Sequence, residues 1–296
     1  AVGQSATAAT ARAAIGAAAG VATGTYAARP ASPAVGDRYL VASGVRKGSL
    51  YQCTCAGYWF LEAIVLPPEL QTGLVLYVDG EDLLGPGINR WRNRAPSQPG
   101  NDLVLLSSVG TVTVGTSGLS AGLNYAQTNG NARLETALPY PSGAGGRTLV
   151  VLTSNVTPNA GAAFNHLLSE GANVLSQMYS ICCRSNSLSQ WGNHYWSTTY
   201  TTGVSGTETT PVRIVARYNG TQDTFFRNNV AIGTPNTITL SAPTTYAGVT
   251  LFAIANGGGE PAPSGTRIHA AAAWTTGLSD GVVAILDAWL SERHGS

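Results

Sequence analysis

The sequence contains few charged residues, and the two signs nearly cancel. Only 10% of its 296 residues are charged, and 16 Lys and Arg against 15 Asp and Glu leave a formal net charge of +1. So small a charge gives no electrostatic reason to expect binding to nucleic acid or to an anionic membrane surface. Polar, uncharged partners such as glycans are not excluded by this composition.

Long hydrophobic runs are also missing. No apolar run approaches the ~20 residues that a membrane-spanning helix needs. The N-terminus lacks the order of charged and then apolar residues that is typical of a signal peptide. We therefore expect a soluble chain with no membrane insertion.

Cysteine is scarce, with four residues in two close pairs, Cys53/Cys55 and Cys182/Cys183. Neither pair has the spacing of a zinc site, and four cysteines in a chain of this length are too few for a disulfide framework. Buried free thiols are the simpler interpretation. Because no acidic cluster is convincing for calcium either, we expect no metal ion and no other cofactor.

Glycine and tyrosine, by contrast, are abundant. The 36 glycines and 12 tyrosines, with 44% hydrophobic residues, indicate a turn-rich β protein. Beyond residue 73, short β-prone runs recur between turn residues, which predicts a two-sheet sandwich or a barrel. The strands expected there are 73–79, 103–106, 111–114, 132–136, 148–154, 174–182, 212–219, 224–227 and 249–255.

The last thirty residues predict a strand followed by a helix. Residues 267–274 are a short, mainly apolar run, and Ser279 can cap the helix that follows. Gly295 can adopt the left-handed conformation that ends a helix. The apolar face of this helix is expected to contain Val282, Val283, Ile285, Leu286, Trp289 and Leu290.

The chain divides into three parts at the sequence level. Residues 1–34 are almost all Ala, Gly, Thr and Ser, so they cannot bury enough apolar surface to fold alone and would serve attachment or oligomerisation. Residues 35–66 predict a small β domain of three strands, in which Trp59 is expected in the core rather than on a ligand surface. Pro67 and Pro68 mark the boundary, because proline breaks both helices and ladders, and 67–296 is the predicted β-sandwich.

Two segments resemble parts of bacteriophage proteins. The sequence Thr10-Ala-Arg-Ala-Ala-Ile-Gly16 is similar to short phrases in the shafts of bacteriophage tail fibres. The arrangement of prolines at 30 and 33, followed by Gly36-Asp-Arg-Tyr-Leu-Val41, resembles a small domain found in phage tail and gene-transfer-agent proteins.

The chain from residue 73 onward resembles concanavalin A-like (laminin-G-like) jelly-roll domains of phage and bacterial surface proteins. The resemblance rests on the opening strand Gly73-Leu-Val-Leu-Tyr-Val-Asp79, on the phrase Asn89-Arg-Trp-Arg-Asn93, and on the closing strand and helix. It implies an all-β concanavalin A-like jelly roll with a C-terminal helix, preceded by the small β unit and the Ala/Gly-rich segment.

These resemblances imply a bacteriophage virion protein. The most direct role is a tail-fibre or receptor-binding component that attaches to host surface glycans. The fibre resemblance also implies a homotrimer that contacts other virion proteins through its N-terminal segment. A head fibre or capsid decoration protein uses the same parts, and a bacterial surface lectin or glycan-degrading enzyme is an alternative from a different class.

An enzyme requires catalytic residues, and the sequence presents none in a recognisable motif. Glycoside hydrolysis uses two carboxylates, and the Glu-x-Asp-x-x-Glu pattern of related glucanases is missing. Asp79, Glu81 and Asp82 form the densest acidic group, for which a turn is the simpler role. The four histidines are scattered and have no nucleophile motif beside them. We therefore predict no enzyme activity.

The segment 190–200 is the most informative for ligand binding. A glycan site combines flat aromatic rings with hydrogen-bonding side chains, and this segment contains both. Aromatic residues along a strand also fill sandwich cores, so the same residues have a structural alternative. The candidate ligand-binding residues are Trp191, Asn193, His194, Tyr195, Trp196 and Tyr200.

Overall fold

A computed structural model gives the fold. It describes residues 21–55, 58–83, 87–105, 110–116, 123–129, 132–138, 145–158, 164–171, 177–184, 189–194, 199–240, 248–254 and 260–296. The described residues up to Thr72, together with Ala288–Ser296, form one compact unit. Those between Gly73 and Asp287 form a second, larger unit.

The small unit is built on a four-stranded sheet in the order β1-β2-β3-β4. Its strands are β1 (Val21–Thr25), β2 (Arg38–Ser43), β3 (Ser49–Cys55) and β4 (Tyr58–Ile64). Strand β1 lies in the Ala/Gly-rich segment and pairs in parallel with β2, so that segment adds a strand to the three that the sequence predicted.

Aromatic residues form the core of the small unit. Tyr39, Val41 and Tyr51 are buried together, and Trp59 packs against them. The indole N–H of Trp59 donates to the carbonyl oxygen of Pro30 at 2.8 Å. Trp59 therefore packs against the core, as its sequence context predicted, but is itself only half-buried.

The large unit contains sixteen described strands and the first part of one described α-helix. The helix α1 spans Asp280–His294, and its last residues belong to the small unit. The strands are β5 (Leu74–Asp79), β6 (Arg90–Trp91), β7 (Leu103–Leu105), β8 (Thr111–Thr116), β9 (Asn124–Asn129), β10 (Leu134–Ala137), β11 (Arg147–Ser154), β12 (Phe164–Gly171), β13 (Met178–Arg184), β14 (Gln190–His194), β15 (Thr199–Ser205), β16 (Val212–Tyr218), β17 (Gln222–Arg227), β18 (Val230–Thr237), β19 (Gly248–Leu251) and β20 (Arg267–Trp274).

These strands form two sheets. The first sheet has the order β18-β17-β16-β11-β20-β9-β8, and β5 also pairs with β20. The second sheet has the order β15-β14-β13-β12-β19-β10-β7-β6. Buried side chains of both, such as Val151 and Ile214 of the first and Tyr179 and Ile181 of the second, belong to one hydrophobic cluster. Two sheets that share a core in this way are a β-sandwich, which confirms the predicted fold class.

Local sequence signals explain several connections in the large unit. Asn219 and Gly220 turn β16 into β17, and the Asn219 side chain accepts a hydrogen bond from the backbone N–H of Gln222 at 2.8 Å. Asn228 and Asn229 turn β17 into β18 with positive φ angles of 48° and 63°, as a tight hairpin turn requires.

Helix α1 follows its predicted caps but not every predicted contact. The Ser279 hydroxyl accepts a hydrogen bond from the Val282 backbone N–H, and Gly295 has a φ of 65°. Val283, Leu286, Trp289 and Leu290 are buried, as expected. Ile285, however, is 37% exposed, which corrects its assignment to the apolar face. Asp287, by contrast, is buried, and its carboxylate forms an ion pair with Arg213.

No helix in the described part of the chain has the length and apolar character needed to cross a membrane. All four cysteines are free thiols, three buried and Cys55 exposed.

Candidate functional site

The outward face of the second sheet carries a row of polar side chains. Successive residues of a strand point to opposite faces, and Leu134, Leu168, Tyr179, Ile181, Val249 and Leu251, which stand next to members of this row, lie in the hydrophobic core. The strand register places Glu135 opposite Thr250, Thr250 opposite Ser169, and Ser169 opposite Ser180. Ser180 accepts a hydrogen bond from the backbone N–H of His194, which continues the row. We call these five residues the polar row.

The polar row is largely shielded from solvent. Each of its members is at most 6% exposed. The Ser169 hydroxyl donates to the carbonyl oxygen of Ala253 at 2.9 Å, whereas the buried Thr250 hydroxyl has no hydrogen-bond partner among the described residues. Burial of a polar side chain costs free energy of desolvation unless hydrogen bonds compensate for it. The members of the polar row therefore need hydrogen-bonding groups around them.

A β-bulge brings His166 to the His194 end of the polar row. The register of β12 against β13 shifts between His166 and Leu168, and both Leu167 and Leu168 lie in the core cluster. One extra residue in a strand changes which side chains face outward. His166 therefore shares the outward face with Ser169, although three positions separate them.

Two histidines and one glutamate converge here. His166 Nε2 lies 3.3 Å from Glu260 Oε2, and His194 Nδ1 lies 3.5 Å from the same oxygen. The two imidazole nitrogens are 3.4 Å apart. Three potential ligand atoms from different parts of the chain thus form a nearly equilateral triangle, which we call the His–Glu cluster (His166, His194 and Glu260).

Burial and hydrogen bonding set the charge of the cluster. Burial lowers the pKa of His166 and is a larger effect than its hydrogen bond to Glu260, which acts in the opposite direction. Burial raises the pKa of Glu260, but hydrogen bonds from His166 and His194 together lower it to about 2. At neutral pH the cluster therefore contains a neutral His166 imidazole and a carboxylate.

Packing fixes the orientation of the cluster. The Phe164 ring stacks on the His194 ring with a centroid distance of 4.0 Å and an interplanar angle of 17°. Glu260 has a left-handed backbone with a φ of 62°, a conformation that a residue with a side chain adopts rarely and at a cost. The Glu260 side chain is 24% exposed, so the cluster reaches the surface through this residue.

Cys182 lies beside the cluster but does not contribute a reactive thiolate. It is opposite His166 in the register of β12 and β13. Burial raises the pKa of the Cys182 thiol, and its S–H donates to the carbonyl oxygen of Gly192. A protonated, buried thiol is neither a nucleophile nor a metal ligand.

Of the six residues predicted for ligand binding, the structure brings only His194 into the cluster. Trp191 is completely buried in the hydrophobic core, where its indole N–H donates to Glu208 at 3.3 Å. Asn193 is also buried, and its side-chain amide contacts Asp223 of the first sheet. Both residues occupy the core positions that were the structural alternative for this segment.

The structure gives little information on the positions of the other three predicted residues. Tyr195 and Trp196 lie outside the described residues. Tyr200 lies in β15, where its backbone is opposite Asn193.

The acidic group after β5 has structural roles. The carboxylate of Asp79 accepts hydrogen bonds from the Tyr77 hydroxyl and from the Glu81 backbone N–H, and Asp82 forms an ion pair with Arg94. The group therefore forms the turn that was the simpler interpretation of its sequence.

His166 and Glu260 are functional candidates that the sequence analysis did not identify. They are separated by 94 positions, and His166 is separated from His194 by 28. No local motif connects residues so far apart, and neither the bulge at Leu167 nor the backbone of Glu260 has a sequence signature.

Comparisons with known proteins give the fold but no family. No protein-family model matches the chain, and no curated protein matches it. A solved structure described as the HCR/D W1238A mutant is similar with a TM-score of 0.50 and 9% identity, over 74% of this chain and 53% of that chain. The receptor binding domain of botulinum neurotoxin C/D mosaic serotype gives a TM-score of 0.48 and 9% identity, over 73% of this chain and 51% of that chain.

A sialidase is also among the similar structures. Trypanosoma rangeli sialidase in complex with 2,3-difluorosialic acid gives a TM-score of 0.48 and 15% identity, over 73% of this chain but only 32% of that chain. The chain therefore spans about a third of the sialidase and about half of the two other structures. Similarity at this level of identity describes the architecture of the β-sandwich.

The prediction that the chain is not an enzyme requires correction. The solved structures that it resembles include several of Trypanosoma rangeli sialidase, which is an enzyme.

Proposed function

We propose that the protein is a glycan-binding attachment protein of a bacteriophage particle, with the β-sandwich as the binding domain. The observation that carries this proposal is the His–Glu cluster beside Phe164, which lies at the end of the buried polar row and reaches the surface through Glu260. A carbohydrate site requires hydrogen-bonding groups held in fixed positions next to an apolar or aromatic surface.

The chemistry of the cluster suits a neutral, hydroxyl-rich ligand. The Glu260 carboxylate is a strong acceptor for sugar hydroxyl groups, and the stacked Phe164 holds His194 in one orientation. Preorganised side chains reduce the entropy lost on binding. The near-zero net charge agrees with a ligand recognised by hydrogen bonds more than by charge.

The phage assignment rests on the resemblance of residues 10–16, 30–41, 73–79 and 89–93, and of the closing strand and helix, to phage and bacterial surface proteins. In this proposal the small β unit and the N-terminal segment connect the sandwich to other virion proteins. A tail fibre places the sandwich where it meets host polysaccharide, so the protein would be located in the virion.

A panel of bacterial surface polysaccharides tests this function. The purified chain is incubated with each immobilised polysaccharide, and both retention and the release of new reducing ends are measured. We expect retention of the wild-type protein and at least a tenfold loss of affinity, about 1.4 kcal/mol, in Glu260→Ala and His194→Ala.

Glu69→Ala is the matched control, because Glu69 is an exposed carboxylate of the small unit. It should bind as the wild type does. Retention that survives both cluster substitutions would refute this site, and retention of no polysaccharide would refute glycan binding. Release of reducing ends that depends on Glu260 would assign a hydrolytic activity to the same site.

A further inference from the structure

The His–Glu cluster has the composition of a transition-metal site. Imidazole nitrogen and carboxylate oxygen are common ligands of Zn²⁺, and a site with three protein ligands leaves a fourth position for water or another ligand. Calcium and magnesium prefer a shell of oxygen ligands, whereas this cluster supplies one carboxylate and two nitrogens. The donor set therefore selects a metal of the zinc type.

The distances agree with this composition. A tetrahedral Zn²⁺ ion with bonds of about 2.0–2.1 Å holds its ligand atoms about 3.3–3.4 Å apart. The three distances in the cluster are 3.3, 3.4 and 3.5 Å. An ion can thus reach ideal bond lengths to all three atoms with almost no movement of the side chains.

The surroundings favour a site that is formed before the metal arrives. Phe164 stacks on the His194 ring, and the backbone N–H of His166 lies 3.4 Å from the carbonyl oxygen of Glu260, to which it donates. His166 lies in β12 and His194 in β14, and only β13 separates these two strands in the sheet. Rigid strands hold ligands more accurately than loops do, and the exposed part of Glu260 gives an ion a route from solvent.

We propose that His166 Nε2, His194 Nδ1 and Glu260 Oε2 bind one Zn²⁺ ion in a tetrahedral site with one position open to water or a ligand. This inference is independent of the proposed glycan binding, because it rests on ligand geometry alone and is tested without any glycan.

Titration of the full chain with metal tests the proposal directly. The purified protein is treated with a chelator, and the binding of ZnCl₂ is measured by calorimetry, with CaCl₂ as the comparison. We expect one equivalent of Zn²⁺ to bind and Ca²⁺ not to bind. Replacement of Zn²⁺ by Co²⁺ should give the intense visible absorption of a tetrahedral complex, in contrast to the weak absorption of an octahedral one.

Substitutions locate the site. His194→Gln and Glu260→Gln each remove one ligand and should weaken Zn²⁺ binding by at least about tenfold. Loss of a residue that only hydrogen-bonds to a metal ligand already weakens metal binding by about tenfold or more, and loss of a ligand itself should cost at least as much. His269→Gln is the matched control, since His269 is a buried histidine that bonds to Ser154 outside the cluster. It should bind Zn²⁺ as the wild type does.

Several results would overturn the proposal. Wild-type protein that binds no Zn²⁺ contradicts it, as does Zn²⁺ binding that persists in both cluster variants. Loss of binding in Cys55→Ser would assign the metal to the exposed thiol instead. If a cluster variant folds poorly, the tetrahedral Co²⁺ spectrum of the wild type and a rise in its melting temperature with Zn²⁺ still decide the question, because an ion that binds only the folded state stabilises it.

Discussion

At the scale of single residues, the segment 190–194 shows how one strand serves two purposes. Trp191 and Asn193 point into the core, whereas His194 points outward to the His–Glu cluster. Alternation along a strand predicts this division once one residue is placed. The sequence cannot say which alternate set faces the core, because both sets contain residues that suit either environment.

Asn193 has a structural partner that explains its burial. Its side-chain amide contacts one oxygen of Asp223 at 3.4 Å, and the Tyr179 hydroxyl donates to the other at 2.6 Å. Asp223 is completely buried in β17 of the first sheet, whereas Asn193 and Tyr179 belong to the second. This carboxylate therefore joins the two sheets through the core.

Removal of Asp223 should destabilise the sandwich strongly. Asp223→Ala leaves the Tyr179 hydroxyl and the Asn193 amide without this acceptor, and we expect the free energy of unfolding to fall by about 2–4 kcal/mol. Tyr179→Phe removes only one of the hydrogen bonds and should cost about 1–2 kcal/mol. Urea unfolding of both variants measures the difference, and an Asp223→Ala cost no larger than that of Tyr179→Phe would contradict this role.

At the scale of elements, irregular positions decide what the strands present. The bulge at Leu167 places His166 and Leu168 on opposite faces, whereas residues two positions apart in a regular strand share a face. Close packing fixes the turn after β5, where Asp79 caps a short 3₁₀ helix, Gly80–Asp82. Gly80 there lies against the backbone of Asn124 in β9.

A side chain at Gly80 cannot be accommodated without movement of the backbone. A Cβ atom added to Gly80 would lie 1.9 Å from the carbonyl oxygen of Asn124. Gly80→Ala should therefore destabilise the protein by about 2 kcal/mol or more, at the upper part of the range for overpacked sites. Thermal unfolding monitored by circular dichroism measures the effect.

Gly281 in helix α1 is the matched control for this substitution. Apart from its chain neighbours and the backbone of its own helix, no atom of the described residues lies within 4 Å of a Cβ added there, and alanine favours the helix. Gly281→Ala should leave the melting temperature unchanged or raise it, with a gain of up to about 1 kcal/mol. Equal losses in the two variants would show that the contact with Asn124 is not the cause.

At the scale of the whole molecule, the proposed attachment role makes the oligomeric state informative. Strand β1 is an edge strand of the small unit, and its residues 21–25 pair with β2 of the same chain. The resemblance to tail-fibre shafts concerns residues 10–16 and implies three copies of the chain. Multiple copies increase the effective strength of binding to a repetitive glycan surface.

Light scattering of the full chain tests this implication. We expect three times the mass of one chain when the N-terminal segment is intact, and the mass of one chain after deletion of residues 1–20. A monomer with the intact segment would contradict the fibre assignment. A trimer that survives the deletion would place the contacts in the remaining residues.

The sequence by itself determined the local structure of this protein. A short, mainly apolar run predicted β20, and Ser279 and Gly295 predicted the ends of α1, because each signal depends on neighbours within a few residues. The recurring short strands predicted an all-β sandwich or barrel, and the resemblance to concanavalin A-like domains favoured the sandwich, which the structure has.

Only the tertiary structure decided the candidate site. His166, His194 and Glu260 meet because of the order of the strands, a one-residue bulge and a left-handed backbone at Glu260. It also decided that Trp191 fills the core and that Ile285 faces solvent. These outcomes depend on which distant segments pack together, and that packing is set by the energy of the whole fold rather than by any short stretch of sequence.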